Sequence, residues 1–121
     1  MWKIKKNLIE DVIQSAKNYY PKEFLCFLSG DKEAKEINEI VLIPTLNGDD
    51  YSSVNTYNIP IDNTILGSLH SHPNGSTFPS TADKKFFKRY LINVIIGLDT
   101  NNTIINVFDD KSNKLDIELI D

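Results

Sequence analysis

The sequence predicts an α+β fold of mixed α/β layers, with helices near residues 7–20 and 81–90 beside one sheet. Three observations carry that prediction. Apolar residues recur at helical spacing in only two stretches, short apolar runs bounded by turn formers fill most of the rest, and no segment repeats another. The order read along the chain is one helix, four strands, a second helix and three strands.

The first helix shows Leu8, Ile9, Val12, Ile13, Ala16, Tyr19 and Tyr20 on one face, and Pro21 stops it. Residues 23–29 hold the run Phe24-Leu25-Cys26-Phe27-Leu28, too short for a helix between Pro21 and Gly30, so a buried strand is expected. Residues 36–43 read as its neighbour, joined through the polar turn 31–35. Residues 44–57 are rich in turn formers and read as a long loop, and 54–61 add a short strand ending at Pro60. Residues 65–72 form a strand containing Gly67, and 73–79 a loop containing Asn74-Gly75. Ser80 opens a helix running through Tyr90, with Ala82, Phe86, Phe87 and Tyr90 on its inner face. The nearly continuous apolar run 92–98 suits a central strand covered on both faces. Turns at 99–102 and 109–113 lead into strands at 103–108 and 115–120.

The 121 residues suit one domain, 1–121. Hydrophobic residues at 40% and charged residues at 25% exclude a disordered or low-complexity chain. No apolar run is long enough to span a bilayer, so no membrane partner is expected. No apolar segment or small-residue cleavage site follows the basic start Met1-Trp2-Lys3, which argues against a signal peptide. A single cysteine, Cys26, makes no internal disulfide and suits a reducing compartment, so a cytoplasmic location is expected. Seventeen acids against thirteen bases give a net charge of −4, without the basic excess of a nucleic-acid binder.

Both histidines of the chain lie in His70-Ser71-His72. On a strand, residues two apart point to the same face, so both imidazoles can turn toward one metal ion. Asp83 lies in the first turn of the next helix, where a carboxylate can return over the strand end. Three protein ligands with a fourth position open is the pattern of a catalytic zinc site. Plainer readings stand beside it: two histidines can be satisfied core or surface residues, and Ser80-Thr81-Ala82-Asp83 also spells an ordinary capping box. A proton acceptor is needed as well. Glu23 opens the buried strand rather than decorating a helix, yet spacing alone does not choose it over Glu36 or Glu39.

His70-Ser71-His72-Pro73, then residues 73–79, then Ser80-Thr81-Ala82-Asp83, resembles the signature of the JAMM (MPN-plus, JAB) zinc metalloproteases. That signature is His-x-His, seven residues, Ser, two residues, Asp, with an upstream Glu in a Pro-x-Glu segment. Here the segment is Pro21-Lys22-Glu23. The resemblance covers almost the whole chain and is greatest to the minimal single-domain prokaryotic and archaeal forms. It implies a JAMM/MPN-like, cytidine-deaminase-like core whose central sheet is mostly antiparallel. It also implies one Zn2+ per chain on His70, His72 and Asp83, with Glu23 as general acid/base acting on a water at the metal. Ser80 becomes the hydroxyl that orients that water or serves the oxyanion. Lys22 and Cys26-Phe27 depart from residues common near the Glu in relatives, and they touch surroundings rather than ligands. Cys26 reads as a small buried hydrophobe.

The resemblance further implies hydrolysis of a peptide or isopeptide bond after the C-terminal Gly-Gly of a ubiquitin-like or sulfur-carrier modifier. Loops 44–57 and 74–78 would flank the metal, and an extended tail would pair with a strand edge there. Tyr51, Tyr57 and Phe78 are candidate apolar contacts, with ordinary loop packing as the alternative. Two other functions remain open at this point. One is a metal-free MPN-type scaffold or binding module, against which the full ligand set counts. The other is a zinc amidohydrolase or peptidase acting on small conjugates.

Overall fold

A computed structural model describes residues 1–42, 64–100 and 102–121. The elements are β1 (Trp2–Lys5), α1 (Lys6–Tyr19), β2 (Leu25–Asp31), β3 (Glu36–Val41), β4 (Ile65–His72), α2 (Thr81–Phe87), β5 (Ile92–Leu98), β6 (Thr103–Phe108), β7 (Lys114–Leu115) and β8 (Ile117–Ile120). The expected loop at 44–57 and strand at 54–61, with Tyr51 and Tyr57, lie outside the described residues.

The strands form one sheet in the order β7-β6-β5-β4-β2-β3-β1-β8. Four junctions are antiparallel and three parallel, so the sheet is antiparallel by a narrow margin. The parallel β4·β5 junction uses α2 as its crossover, as parallel neighbours require. β7 and β8 stand at opposite ends of the order, yet only Asp116 separates them in sequence. In a flat sheet, eight strands at about 4.8 Å would hold these ends about 34 Å apart. Two Cα steps reach about 7.6 Å. The sheet therefore rolls until its two ends nearly meet, and Ile9 of α1 lines one cleft together with Ile105, Leu115 and Ile117.

Two layers cover the sheet. Ile9, Val12 and Ala16 of α1 pack with Phe24, Cys26, Leu28, Leu69, Val94, Ile96 and Val107 on one face. The alternate residues Leu25, Phe27 and Ile95 meet the α2 side, where Phe86, Phe87, Tyr90 and Phe108 gather. All seven residues of β5 are buried, as its apolar run predicts. Burial pushes the Cys26 thiol up to about 12, which keeps it protonated and inert.

Four local differences from the sequence reading have physical causes. Trp2–Lys5 forms a strand that local pattern does not announce, because β1 exists only through parallel pairing with β3 and β8. The second helix ends at Phe87, and a turn rather than helix leads to Tyr90. Ala82 faces solvent and Asp83 takes the inner face in its place, four residues before Phe87, while Phe86, Phe87 and Tyr90 pack inward as expected. The expected strand 115–120 is split at Asp116, where the chain changes partner from β6 to β1.

Candidate metal centre

The site lies where the C-terminal end of β4 meets the N-terminus of α2. In register, His70 stands between Leu25 of β2 and Ile95 of β5, both of which face the α2 layer. His72, two residues on, takes the same face beside Gly97. The His70 ring is fully buried and sits 6.1 Å, centroid to centroid, from Phe87.

Asp83 arrives from α2. The Asp83 N–H donates to Ser80 Oγ at 3.1 Å, and the Ser80 N–H donates to Asp83 Oδ2 at 2.9 Å. This reciprocal box starts the helix and fixes the rotamer of a carboxylate that is itself buried. The plainer reading of Ser80 and Asp83 as a cap is therefore true, and it is compatible with a second use. Oδ1 lies 3.3 Å from His70 Nε2, Oδ2 lies 3.2 Å from His72 Nε2, and the two Nε2 atoms are 3.1 Å apart.

A carbonyl settles the tautomer of His72. Nδ1 lies 3.0 Å from the Ser76 carbonyl oxygen, which only accepts, so Nδ1–H donates and the Nε2 lone pair is left for the centre. Lone pairs of His72 and a carboxylate then converge beside the second Nε2. Such a convergence is repulsive unless a cation sits within it, either a proton or a metal ion. Zinc bonds of about 2.0–2.2 Å at tetrahedral angles give ligand–ligand edges of about 3.3–3.6 Å. The observed separations lie close to that, and the donor set of two imidazoles and a carboxylate suits zinc. Among the described residues, His70, His72 and Asp83 are the group of side chains so placed.

Glu23 reaches the site through the sheet. Leu25 pairs with His70, so the register carried two residues back sets Glu23 opposite His72 on the same face. The link is made by Ser71. Its N–H donates to the Phe24 carbonyl at 2.9 Å, and the Phe24 N–H donates to Ser71 Oγ at 2.8 Å. Glu23 is half-buried and its charge is felt at His72, whereas Glu39 is paired with Ser29 and Glu36 with Asp31 farther along β3.

The charges respond to one another. The hydrogen bond that His72 donates to Asp83 raises the His72 pKa above its ordinary value; burial opposes, and attraction from Asp83, the Ser76 carbonyl and the Glu23 charge add to the rise. Burial alone would raise the Asp83 carboxyl, but hydrogen bonds from His70 and His72, attraction from His70 and the Ser80 N–H hold it well below the usual carboxylate range.

Comparison with known proteins bears on this geometry. Residues 5–109 match the family of prokaryotic homologs of the JAB domain. The chain belongs to this family. A Haloferax volcanii protein named "Probable metalloprotease" is 27% identical over 127 residues, covering 98% of this chain and 79% of that protein. A JAB1/MPN domain protein from Archaeoglobus fulgidus superposes with a TM-score of 0.73 at 25% identity, over 98% of this chain and 99% of its own. A structure described as JAMM, a metalloprotease-like zinc site in the proteasome and signalosome, gives 0.73 at 23% identity over 100% and 99% of the two chains, a likeness of fold. The JAMM resemblance and the α+β fold read from the sequence therefore hold, and no helix among the described residues is long and apolar enough to cross a membrane.

In this JAB-family chain the loop after His72 is built by contacts that no sequence motif announces. The Ser76 N–H donates to Asn74 Oδ1 at 3.0 Å, and Asn106 Nδ2–H donates to Thr77 Oγ1 at 2.6 Å. Gly75 takes φ +82°, and Phe78 is left 82% exposed. The partner of His72 Nδ1 is a backbone carbonyl, so residue type gave no signal for Ser76. A Cβ on Gly97 would stand 2.5 Å from the Gly75 carbonyl oxygen and 3.0 Å from Thr77 Cγ2. Gly97→Ala is therefore expected to cost about 1–3 kcal/mol as an overpacking change. It should also weaken metal binding by displacing the loop that orients His72. Urea midpoints and zinc titration check this, and a variant unchanged in both would show that the loop shifts freely.

A pH prediction follows from the two shifts. The raised His72 group stabilises the metal-free protein fully below its unfolded value of about 6.5, and that contribution is lost as pH rises through the folded value. The lowered Asp83 group stabilises above about 3.9 and is lost as pH falls through its folded value. The pair thus favours the metal-free fold most between about pH 4 and 6.5. Zinc requires neutral imidazoles, so its stabilisation runs the other way and shrinks in acid. Melting temperatures from pH 5 to 8, with zinc and with chelator, should show opposite slopes. Zinc stabilisation that stays flat down to pH 5 would contradict the two histidines as ligands.

Proposed function

We propose that this JAB-family protein is a zinc metalloprotease of isopeptidase type. It hydrolyses the peptide or isopeptide bond after the C-terminal Gly-Gly of a ubiquitin-like or sulfur-carrier modifier, inside the cell. The observation that carries the proposal is the meeting of the His70, His72 and Asp83 donor atoms within 3.1–3.3 Å of one another, with Glu23 in register beside them.

His70, His72 and Asp83 would hold one Zn2+. When bound, the ion would supply Lewis acidity toward the scissile carbonyl and a nearby water. The chain's own groups do the rest. The Ser76 carbonyl keeps the His72 proton on Nδ1. The capping box keeps Asp83 aimed at the histidines. The Glu23 carboxylate takes the proton of the attacking water and delivers it to the leaving amine nitrogen. Ser80 Oγ accepts from the Asp83 N–H, which uses a lone pair, and its own O–H remains to donate to the developing oxyanion. The cap and the catalytic role are chemically compatible.

The full ligand set supports this reading over a scaffold. The test uses the zinc-loaded protein with a ubiquitin-like fusion and an isopeptide conjugate, each ending the modifier in Gly-Gly or in Ala-Ala. Cleavage confined to the Gly-Gly substrates is the expected result. Cleavage of small amide conjugates alone would move the function to a zinc amidohydrolase, and no hydrolysis by the zinc-loaded protein would favour a binding module.

A further inference from the structure

Asn93 is the one strongly polar side chain in the buried strand β5, and it is fully buried. Its Oδ1 accepts a hydrogen bond from Ser68 Oγ at 2.6 Å. Its Nδ2 hydrogens face the carbonyl oxygens of Tyr90 at 3.1 Å and of Phe87 and Asp109 at 3.4 Å each. Ser68 and Asn93 are partners in the β4·β5 register, and Ser68 lies two residues before His70 on the same face. Phe87 is the last residue of α2. One amide thus joins the strand that carries both histidines to the helix that carries Asp83.

α2 needs such a joint. Its seven residues make about two turns, roughly 10 Å, too short to persist without tertiary anchors. The Ser80–Asp83 box is internal to the helix start and does not tie it to the sheet. Phe87 packs with Ile95 and Phe108, but apolar contact is non-directional and tolerates sliding along the helix axis. Hydrogen bonds to the Phe87 and Tyr90 carbonyls set that axial position, because they weaken steeply with misalignment. A slide of the helix by an ångström would open the 3.2 and 3.3 Å gaps between Asp83 and the histidines.

We infer that Asn93 is a positioning residue of the metal centre: it holds α2 against β4 so that the Asp83 carboxylate meets His70 and His72. The inference rests on those three residues being the ligands. It differs from a plain capping role, in which Asn93 merely satisfies carbonyls left open at the end of a helix. Loss of a plain cap lowers stability and leaves the ligand geometry alone.

The full chain with Co2+ as probe separates the two roles, since the visible spectrum of bound cobalt reports its ligand geometry. Asn93→Ala is expected to weaken Co2+ binding about tenfold or more and to shift its visible bands, the scale seen when partners of metal ligands are removed. Ser68→Ala, which frees the amide but keeps its carbonyl contacts, should shift the same bands with a smaller loss. Val107→Ala, in the core on the opposite face, should lower the melting temperature with affinity and bands unchanged. Wild-type bands and affinity in both Asn93→Ala and Ser68→Ala would overturn the inference, as would an equal shift in Val107→Ala. If Asn93→Ala does not fold, Ser68→Ala decides alone, and unchanged bands there overturn it. A wild-type chain that takes up no cobalt, tested beside Asp83→Ala, overturns the ligand assignment and this inference with it.

Discussion

Asp83→Ala is expected to lose zinc almost completely, by more than the roughly 10–100-fold that removal of an outer partner costs. Two effects add. The variant removes the one anionic donor of the set, leaving two neutral imidazoles to hold a dication. It also deletes half of the capping box that starts the helix. Asp83→Asn separates them, because an amide oxygen still accepts from the Ser80 N–H while the charge is gone. Native mass spectrometry of wild type and both variants gives the stoichiometry directly. One zinc in wild type, none in Asp83→Ala and weak binding in Asp83→Asn is the expected pattern. Zinc retained by Asp83→Ala at wild-type affinity would take Asp83 out of the site. The opposite pH slopes expected for metal-free and zinc-loaded protein should vanish in the same variant, since the His72–Asp83 pair produces the metal-free slope.

Glu23→Gln is expected to keep zinc and to lose at least roughly a hundredfold in turnover, the range of an acid/base residue. Glutamine preserves the volume and the hydrogen-bonding reach but takes up no proton near neutral pH. The backbone around it should stay in place, because Phe24 and Ser71 hold each other through two hydrogen bonds that do not involve the residue 23 side chain. Metal content and single-turnover rates on a Gly-Gly fusion check the point together. A variant that turns over at the wild-type rate with a full complement of zinc would remove Glu23 from the chemistry. A variant that loses zinc as well would instead place Glu23 among the groups that stabilise the bound ion.

Much of the molecule was legible in the sequence for local reasons. The buried strand β2, the fully covered β5 and the helix start at Ser80 are each set by neighbours within a few residues: an apolar run between breakers, an unbroken apolar stretch, a hydroxyl three residues before a carboxylate. His70 and His72 share a face because any strand puts alternate residues there, so their convergence needed nothing beyond strand geometry. The chemical character of the site follows from these short-range patterns, as does the family resemblance that rests on them.

The tertiary structure decided what depends on pairing between distant segments. β1 is a strand because β3 and β8 supply its hydrogen bonds, and β8 breaks from β7 at Asp116 because its partner lies across the rolled sheet. Glu23 faces His72, while Glu36 and Glu39 do not, through a register fixed between β2 and β4. The Ser76 carbonyl that sets the His72 tautomer belongs to the backbone, which every residue type carries alike. The reach of Asn93 to the end of α2 depends on tertiary pairing that the apolar run 92–98 does not show. The sequence by itself determined most of the elements and which side chains could bind a metal, because those depend on periodicity and residue type within single elements. Which acid stands opposite His72, and how the end of α2 is tied to β5, was left to the tertiary structure, because hydrogen bonds between segments far apart in the chain exist only once the sheet has closed.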